Sequence, residues 1–358
     1  MGRIVGIVGL AALGCCALAT PPLYKVTNLG LIPNGFPGGT VRSFTQGGRI
    51  AFESYSPSGS ARIFSGGTFL QLKSYWGSNP AYAFTNDLGQ FAATDNSNYV
   101  DFRSSLYAAP LSLRRHLEFS DFIYANGMND RFIYGAERST SEDTYTGGYY
   151  YEIATGEYHY IDPDKDNQDT SVLAMTNSGY MAVARGPGAR WVHGDPPAPI
   201  EVWKDGAMIM NSGVTLDEVF MNSKGQFGGV NLVDQNFFTI FDGSSATKYS
   251  AHFNGKPYRF IGMSDDGTVL AHNDTTTFRS VLFKDGNYYT WQQACPELGT
   301  MEVGHGVMRD DGAVAAIGIQ NGKGYLLRFD PVPEPASLAV LGLGLAAILG
   351  SRRVIGRS

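Results

Sequence analysis

Short apolar runs alternate with glycine- and aspartate-rich turns along most of the chain. An apolar strand, a turn and a second apolar strand occupy Ser43–Ala51, and the same pattern recurs at Ala83–Phe91. Short alternating runs bounded by Gly, Asn and Asp predict β-strands joined by hairpins. The turn occurs seven times, and its positions are marked by Gly48, Gly89, Asp130, Gly179, Gly225, Gly267 and Gly312. Successive marks lie 41, 41, 49, 46, 42 and 45 residues apart.

A second hairpin alternates with the first. It has an aromatic residue, a glycine-containing turn and an apolar residue, and it occurs at Phe64–Phe69, Trp203–Met208 and Phe283–Tyr288, with weaker copies at Ala154–Tyr158 and Phe241–Gly243. Asp-Gly and Gly-Gly favour type I′ turns, because both central residues need positive φ. Two hairpins make four strands, and a four-stranded unit of about 40–45 residues is the size of a propeller blade.

The two ends of this repeating region predict how it closes. Only one strand, Tyr325–Phe329, follows the last turn, and one unpartnered strand, Tyr24–Gly30, opens the region. Pairing the two completes a seventh blade and removes the exposed edges that invite aggregation. We therefore predict an all-β, seven-bladed propeller over residues 20–330. An open solenoid and two stacked sandwiches remain alternatives, because local strand patterns do not exclude them.

These units resemble the extracellular HAF-repeat family in a degenerate form. The family pattern is an Asn-x-x-Gly-Gln turn, an aromatic strand, an Asp-Gly hairpin and a Leu-Gly segment. Asn86–Gln90, Asn222–Gln226, the Asp-Gly hairpins at 205–206 and 285–286, and Leu29-Gly30 match it. The His-Ala-Phe triplet that names the family does not occur intact. The resemblance implies an extracellular propeller-like body and no particular activity.

Composition limits the partners of this body. The chain has 358 residues with 45 Gly, 20 Tyr and 21 Phe, and its formal net charge is −6. A mildly acidic body without a Lys/Arg run lacks the electrostatic footprint of a nucleic-acid-binding protein. Of three cysteines, only Cys295 lies outside the first 19 residues, so the body has no internal disulfide.

Residues 1–19 have the three parts of a secretory signal. Arg3 provides the positive start, Ile4–Leu13 form the apolar run, and Ala17-Leu18-Ala19 form a small-x-small cleavage site. An alternative is a lipoprotein signal ending at Cys15, although Ala12 is small for its position. In both cases the chain is exported.

Residues 331–358 form a second targeting segment. Pro333-Glu334-Pro335 precede the apolar stretch Ala336–Gly350, and Arg352 and Arg353 follow. Fifteen helical residues reach roughly 22 Å, and flanking residues that snorkel extend this toward the ~30 Å hydrocarbon core. The basic residues then stay on the cytoplasmic side. This predicts a C-terminal hydrophobic helix that spans the membrane.

A Pro-Glu-Pro motif, a glycine-rich apolar helix and a short arginine tail resemble the PEP-CTERM sorting signal of Gram-negative bacteria. The resemblance implies processing by an exosortase, a membrane transpeptidase-like enzyme, in organisms that make exopolysaccharide. It further implies a precursor anchored in the inner membrane that is later moved to the cell surface or released. Exopolysaccharide is thereby a candidate ligand of the body.

One segment of the body has the composition of a metal loop. Carboxylates alternate at Asp162, Asp164, Asp166 and Asp169, and Ca²⁺ takes about six to eight oxygen ligands. An EF-hand loop starting at Asp162 would need Gly where Asn167 stands and Glu where Leu173 stands. A solvated loop between strands is the competing interpretation, and no other cofactor is expected.

The remaining chemistry favours recognition over catalysis. The sequence has no Walker A, dinucleotide-binding or nucleophile-elbow motif. The carboxylate pairs Asp265-Asp266 and Asp310-Asp311 are expected to shape turns. The aromatic groups Tyr149–Tyr151 and Tyr288–Trp291 are expected to pack between blades, and flat faces for sugar rings are their alternative role. We expect a non-enzymatic recognition or scaffold module. A secreted polysaccharide lyase or glycosidase, with two carboxyl groups from different blades about 5–10 Å apart, is one alternative; a purely structural surface protein is another.

Overall fold

Four-stranded antiparallel sheets follow one another along the chain. The structure is a computed structural model that describes residues 21–33, 37–54, 60–72, 82–94, 100–105, 111–112, 120–139, 145–161, 170–185, 199–231, 234–273 and 279–333. Within these residues the strands form seven four-stranded sheets and one short hairpin. The predicted all-β fold of seven blades is confirmed.

The first fifteen strands are β1 (Tyr24–Leu31), β2 (Gly39–Phe44), β3 (Ile50–Ser54), β4 (Ser60–Ser65), β5 (Thr68–Gln71), β6 (Tyr82–Thr85), β7 (Phe91–Thr94), β8 (Val100–Arg103), β9 (Leu111–Ser112), β10 (Ser120–Met128), β11 (Phe132–Ser139), β12 (Tyr145–Glu152), β13 (Glu157–Ile161), β14 (Thr170–Met175) and β15 (Tyr180–Arg185). The others are β16 (Ile200–Lys204), β17 (Ala207–Asn211), β18 (Leu216–Met221), β19 (Phe227–Asn231), β20 (Phe237–Phe241), β21 (Ala246–Ser250), β22 (His252–Phe253), β23 (Lys256–Pro257), β24 (Arg259–Met263), β25 (Val269–His272), β26 (Ser280–Lys284), β27 (Asn287–Tyr289), β28 (Glu302–Met308), β29 (Val314–Gln320) and β30 (Lys323–Pro331).

We number the blades by their strands. Blades 1 to 5 are β2–β5, β6–β9, β10–β13, β14–β17 and β18–β21, blade 6 is β24–β27, and blade 7 has the order β28-β29-β30-β1. The first strand of each blade contacts the first strand of the next, and β28 contacts β2, so the ring closes around an axis. We call these seven strands the inner strands.

Blade 7 joins the two ends of the propeller. Strand β1 pairs antiparallel with β30, from Tyr24 opposite Pro331 to Leu31 opposite Tyr325. The sequence predicted this pairing, and the structure confirms it. The closure leaves β1 as the outer strand of a complete sheet, and it holds the first and last blades together without a disulfide.

The core is divided among the interfaces between neighbouring blades. Each of the seven interfaces holds a cluster of buried apolar side chains. Between blades 7 and 1, for example, Ile50 and Phe52 pack with Ala315 and Ile317. A blade is therefore apolar on both faces, which explains why central strands such as β25 are buried along their whole length.

A short helical segment between blades 6 and 7 was not predicted. Helix α1 (Trp291–Ala294) begins at a capping box formed by Thr290 and Gln293, and a 3-10 turn (Pro296–Leu298) follows. The ring of Trp291 lies 5.5 Å from that of Tyr24 and 4.1 Å from that of Phe329. This segment therefore fills the space behind the closing strand pair.

Candidate functional site

The turns that join the first and second strands of the blades lie together at one end of the axis. We call them the AB turns. Their marker glycines have φ between 77° and 85°, a conformation that glycine adopts without strain, at Gly48, Gly89, Gly179, Gly225, Gly267 and Gly312. The AB turn of blade 3 has no marker glycine and is held by Asn129 instead. Asn129 Oδ1 accepts hydrogen bonds from the N–H groups of Arg131 and Phe132, both at 2.9 Å. The predicted turn repeat is thus real, with a substitute in one blade.

Hydrogen bonds join neighbouring AB turns. The N–H of Gly47 donates to Asp87 Oδ1 at 2.7 Å, the N–H of Asp87 to Asp130 Oδ1 at 2.7 Å, and the N–H of Asp130 to Asn177 Oδ1 at 3.0 Å. These bonds link blades 1 to 4 in order. Each side chain is fixed by the backbone of the preceding blade, so the turns form a rigid frame.

The other side of the frame is built similarly. Ser223 Oγ donates to Asp265 Oδ2 at 2.6 Å, and the N–H of Asp265 donates to the carbonyl of Asp310 at 2.7 Å. Arg309 then donates to the carbonyl of Thr45 at 2.8 Å and lies over the ring of Phe44, 4.6 Å from its centroid. Blades 5, 6 and 7 are in this way connected to blade 1.

The frame surrounds a cavity of about 380 Å³ at this end of the axis, which we call the mouth. Five blades contribute polar side chains to it, through Gln46, Asp87, Asp130, Asn177, Arg309 and Asp310. Carboxylate, amide and guanidinium groups fix the orientation of a polar ligand through hydrogen bonds. The mouth is therefore a preformed polar site.

The two Asp-Asp-Gly turns at the frame divide their roles. Burial would raise the pKa of Asp266, but hydrogen bonds from Ser264 and Lys284 outweigh it and lower the pKa to about 2. Burial likewise opposes the lowered pKa of Asp311, which the hydrogen bond from Arg309 outweighs. The second aspartate of each pair shapes its turn, as predicted, while the first is hydrogen-bonded to a neighbouring blade.

Asp310 has the opposite electrostatic environment. Its side chain is exposed and lines the mouth. Crowding by the neighbouring turns partly desolvates the carboxyl and, together with the charges of Asp265 and Asp311, raises the pKa of Asp310 to about 6. Asp265 Oδ1 is buried and makes no hydrogen bond with any described residue. The mouth thus holds a carboxyl group that gains or loses its proton just below neutral pH.

Methionines separate the mouth from a deeper cavity. Five inner strands end in methionine, at Met128, Met175, Met221, Met263 and Met308. All five line the deeper cavity, whose volume is about 420 Å³, and Met128 also lines the mouth. Flexible thioethers fill the irregular gaps where tapering blades converge. They form an apolar ring between the polar mouth and the deeper cavity.

Bulges in the inner strands place both polar and apolar residues at the deeper cavity. The register of six inner strands is interrupted, between Val41 and Ser43, Ala125 and Gly127, Val172 and Ala174, Asp217 and Phe220, Phe260 and Gly262, and Val303 and Gly306. Residues within these interruptions line the cavity, namely Arg42, Asn126, Leu173, Glu218, Ile261 and His305. A bulge re-aims a side chain that the regular pleat would direct elsewhere.

The charged groups among them have partners. Arg42 forms an ion pair with Glu53 at 2.6 Å, and Arg259 pairs with Glu218 at 3.4 Å. Burial raises the pKa of Glu53, and the hydrogen bond and charge of Arg42 act against it. The deeper cavity is consequently a mixed apolar and polar space in which opposite charges are balanced.

Two histidines meet in this cavity. The rings of His272 and His305 lie 5.0 Å apart, although the residues belong to blades 6 and 7. Burial, followed by the charges of His272 and Arg42, lowers the pKa of His305 to about 3. His305 is therefore a neutral imidazole at neutral pH. Its Nδ1 is buried and makes no hydrogen bond with the described residues.

Several predicted residues lie outside the described residues. These are the candidate calcium ligands Asp162, Asp164, Asp166 and Asp169, the leader 1–19, and the tail from Glu334 onward with Pro335, Arg352, Arg353 and the predicted helix at 336–350. Pro333 is described and is exposed. Across the described ranges no helix is long and apolar enough to cross a membrane, and no group of three or more metal-binding side chains occurs there.

The aromatic groups pack as predicted. Tyr149 and Tyr151 are buried between blades 2 and 3, and Tyr289 and Trp291 lie in the cluster between blades 6 and 7. Cys295 belongs to that same cluster, and burial followed by the charge of Glu297 raises the pKa of its thiol. These residues stabilise the ring and lie away from the mouth.

Sequence reasoning missed the residues of the deeper cavity. Arg42, Leu173 and Ile261 each stand six residues before a marker glycine, so aligning the repeats on those glycines would have grouped them. No spacing within one repeat connects His272 with His305, because 33 positions separate them. Only the circular arrangement of blades brings them together.

Comparisons with known proteins identify the tail and the fold. Residues 331–353 match the PEP-CTERM protein-sorting motif. No curated protein matches the chain. Among solved structures, a catalytically inactive variant of virginiamycin B lyase from Staphylococcus aureus with quinupristin is 9% identical, with a TM-score of 0.51, and covers 86% of this chain and 100% of its own.

Two further solved structures are similarly distant. The β-propeller domain of the trilobed protease from Pyrococcus furiosus is 11% identical, with a TM-score of 0.54 and coverage of 82% of this chain and 95% of its own. YCF48 bound to D1 peptide is 10% identical, with a TM-score of 0.51 and coverage of 89% and 100%. Such likeness shows the fold alone. The chain is a seven-bladed β-propeller that carries a PEP-CTERM protein-sorting motif at its C-terminal end.

Proposed function

We propose that this protein is a non-enzymatic recognition module that binds an extracellular polysaccharide at the mouth. The sorting motif implies an exported protein that an exosortase recognises. An inner-membrane-anchored precursor and a final position at the cell surface are part of the proposal, as is the distant relationship to HAF-repeat proteins. The polar frame of the mouth is the observation that carries the binding role.

The mouth suits a sugar because its hydrogen-bonding groups converge from several blades. Gln46, Asn177 and Arg309 present planar polar groups, and Asp87, Asp130 and Asp310 present carboxyl groups to the same cavity. Vicinal hydroxyls both donate and accept hydrogen bonds, so a mixture of amide, guanidinium and carboxyl groups is complementary to them. Since the frame is already fixed by bonds between turns, binding costs little ordering.

A second candidate function is hydrolytic or eliminative cleavage of a glycosidic polymer. Asp310 favours it, because a carboxyl group with a pKa of about 6 is suited to general acid catalysis near neutral pH. Asp265 stands beside it on the neighbouring blade, with its N–H bonded to the carbonyl of Asp310. A raised pKa and a second carboxylate from another blade are the features that such an enzyme needs.

One experiment separates the two functions. The chain from residue 21 to 333 is applied to a glycan array, and release of reducing ends and of unsaturated products is measured in parallel on each bound glycan. Asp310→Asn removes one of the three carboxyl groups that line the mouth. Asp285→Asn is the matched control, because Asp285 lies in the outer hairpin of blade 6 with φ of 50°, a conformation that asparagine accepts.

We expect binding without product, weakened about tenfold by Asp310→Asn through loss of a charge-assisted hydrogen bond, and unchanged by Asp285→Asn. Product release that Asp310→Asn abolishes would replace the recognition role with the enzymatic one. Equal effects of both substitutions would show that the mouth is not the binding site.

A further inference from the structure

Both ends of the propeller leave blade 7 on the face that carries the mouth. Strand β30 runs toward this face and ends at Pro331, opposite Tyr24. The N–H of Val332 donates to the carbonyl of Leu23 at 2.8 Å, which continues the pairing by one step. The hydroxyl of Tyr24 donates to the carbonyl of Gly312, the marker residue of the AB turn of blade 7, at 3.1 Å.

In other blades a closed turn occupies this place. The hairpin between the third and fourth strands of blade 4 bonds directly to the AB turn, through the N–H of Asp205 and the carbonyl of Gly179 at 3.3 Å. In blade 6, Lys284 from the corresponding hairpin pairs with Asp266 of the AB turn at 2.9 Å. In blade 7 the two chain ends replace this hairpin, so the sorting tail begins at the mouth face.

The tail has little length in which to turn away. Five residue steps separate Pro331 from Ala336, the first residue of the apolar stretch, and they span at most about 18 Å when fully extended. Strand β29 alone, with 7 residues, is about 23 Å long. The connection is therefore shorter than the propeller is thick.

We propose that, while the tail is held in the membrane, the mouth face is directed toward the lipid headgroups and the opposite face is directed away. This inference rests on the membrane-anchored precursor of the proposed function. Leu23 and Val332, 47% and 43% exposed, flank the exit of the tail and suit an interfacial position. Asp87, Asp130 and Asp310 outnumber Arg309 among the charged side chains that line the mouth, so anionic lipid is not attracted there and the tether holds the orientation.

The orientation has a consequence for the mouth. A bilayer within about 18 Å of the cavity obstructs the approach of a long polymer along the axis of the propeller. Cutting the tail removes the tether and opens the mouth to the surroundings. Sorting and access to the ligand are in this way coupled by the position of one strand end.

A quenching experiment on the full chain tests the orientation. Single cysteines replace Leu88, which is 65% exposed in the AB turn of blade 2, and Lys323, which is exposed at the opposite end of blade 7. Cys15 and Cys16 of the leader are replaced by serine in every chain, Cys295 is buried, and the parent chain shows whether Cys295 takes up any label. Each variant is labelled with a fluorophore and reconstituted into phosphatidylcholine vesicles that contain a headgroup-attached quencher.

We expect the label at Leu88→Cys to be quenched at least about twofold more strongly than the label at Lys323→Cys. The reason is that the two positions differ in distance from the membrane by about one strand length. A propeller lying on its side against blade 7 would instead quench Lys323→Cys at least as strongly. Equal or reversed quenching on chains that float with the vesicles overturns the orientation alone. Failure of the full chain to float with the vesicles overturns the membrane anchoring and therefore this inference. It does not bear on glycan binding at the mouth, which the glycan array tests separately.

Discussion

Blade 7 and the frame of AB turns are both places where the ring is held together, but they use different interactions. Blade 7 has long strands, a paired chain terminus and buried aromatic side chains such as Trp291 and Phe329. The frame uses hydrogen bonds among polar side chains and backbone groups that water can reach. Apolar burial gives stability in proportion to area, whereas exposed polar contacts mainly fix geometry. Stability and the proposed recognition role thus belong to different regions.

The largest expected effect is in blade 7. Phe329→Ala removes a fully buried ring that lies 4.1 Å from that of Trp291. We expect the free energy of unfolding to fall by about 3–5 kcal/mol, because the substitution leaves a cavity that the rigid sheet cannot fill. Chemical denaturation measures it. The matched control is Phe237→Ala, at a ring that is 36% exposed in blade 5; a comparable loss there would contradict a special role for the closing blade.

A smaller effect depends on pH and reports the deeper cavity. His305 keeps a pKa of about 3 in the folded protein against an ordinary value of 6.5. The unfolded chain therefore binds a proton first, and stability falls as the pH drops from 6.5 toward 3. We expect His305→Gln to reduce this loss, measured as the unfolding midpoint at a series of pH values. His252→Gln, at an exposed histidine, should leave the pH profile unchanged; identical profiles for both variants and the parent would refute a buried neutral His305.

The smallest effect has the opposite sign and belongs to the frame. Asp310 has a folded pKa of about 6 and an ordinary value of 3.8, so the unfolded chain loses its proton first and stability falls as the pH rises from 3.8 through 6. At pH values above 6, we expect Asp310→Asn to have a slightly higher unfolding midpoint than the parent. At pH values below 3.8, the two midpoints should be equal. Solvent access to the mouth screens the effect and keeps it small. A difference of the same size at every pH would show that a pH-independent contact was changed instead.

The sequence predicted the parts of the molecule that repeat. The seven turns and the Asp-Gly hairpins were accessible, because turn chemistry and strand alternation are local properties. The pairing of residues near 24–30 with those near 325–329 was accessible because one strand at each end of the repeats lacked a partner. The sorting motif was accessible for the same reason, since an exosortase reads a short linear signal. Helix α1 was missed because its four residues form a turn that depends on packing against Tyr24 and Phe329.

The candidate sites depended on the ring itself. Asp265 and Asp310 occupy ordinary turns when considered one at a time, and His272 and His305 are 33 residues apart. Their environments arise only when blades 6 and 7 are placed side by side and the bulge in β28 turns His305 into the cavity. The sequence by itself determined the repeating unit, the single strand left over at each end of the repeats and the sorting motif, since each can be identified from residues that are neighbours along the chain. The tertiary structure alone decided which polar groups lose water and gain charged neighbours, because burial and proximity are properties of the assembled ring.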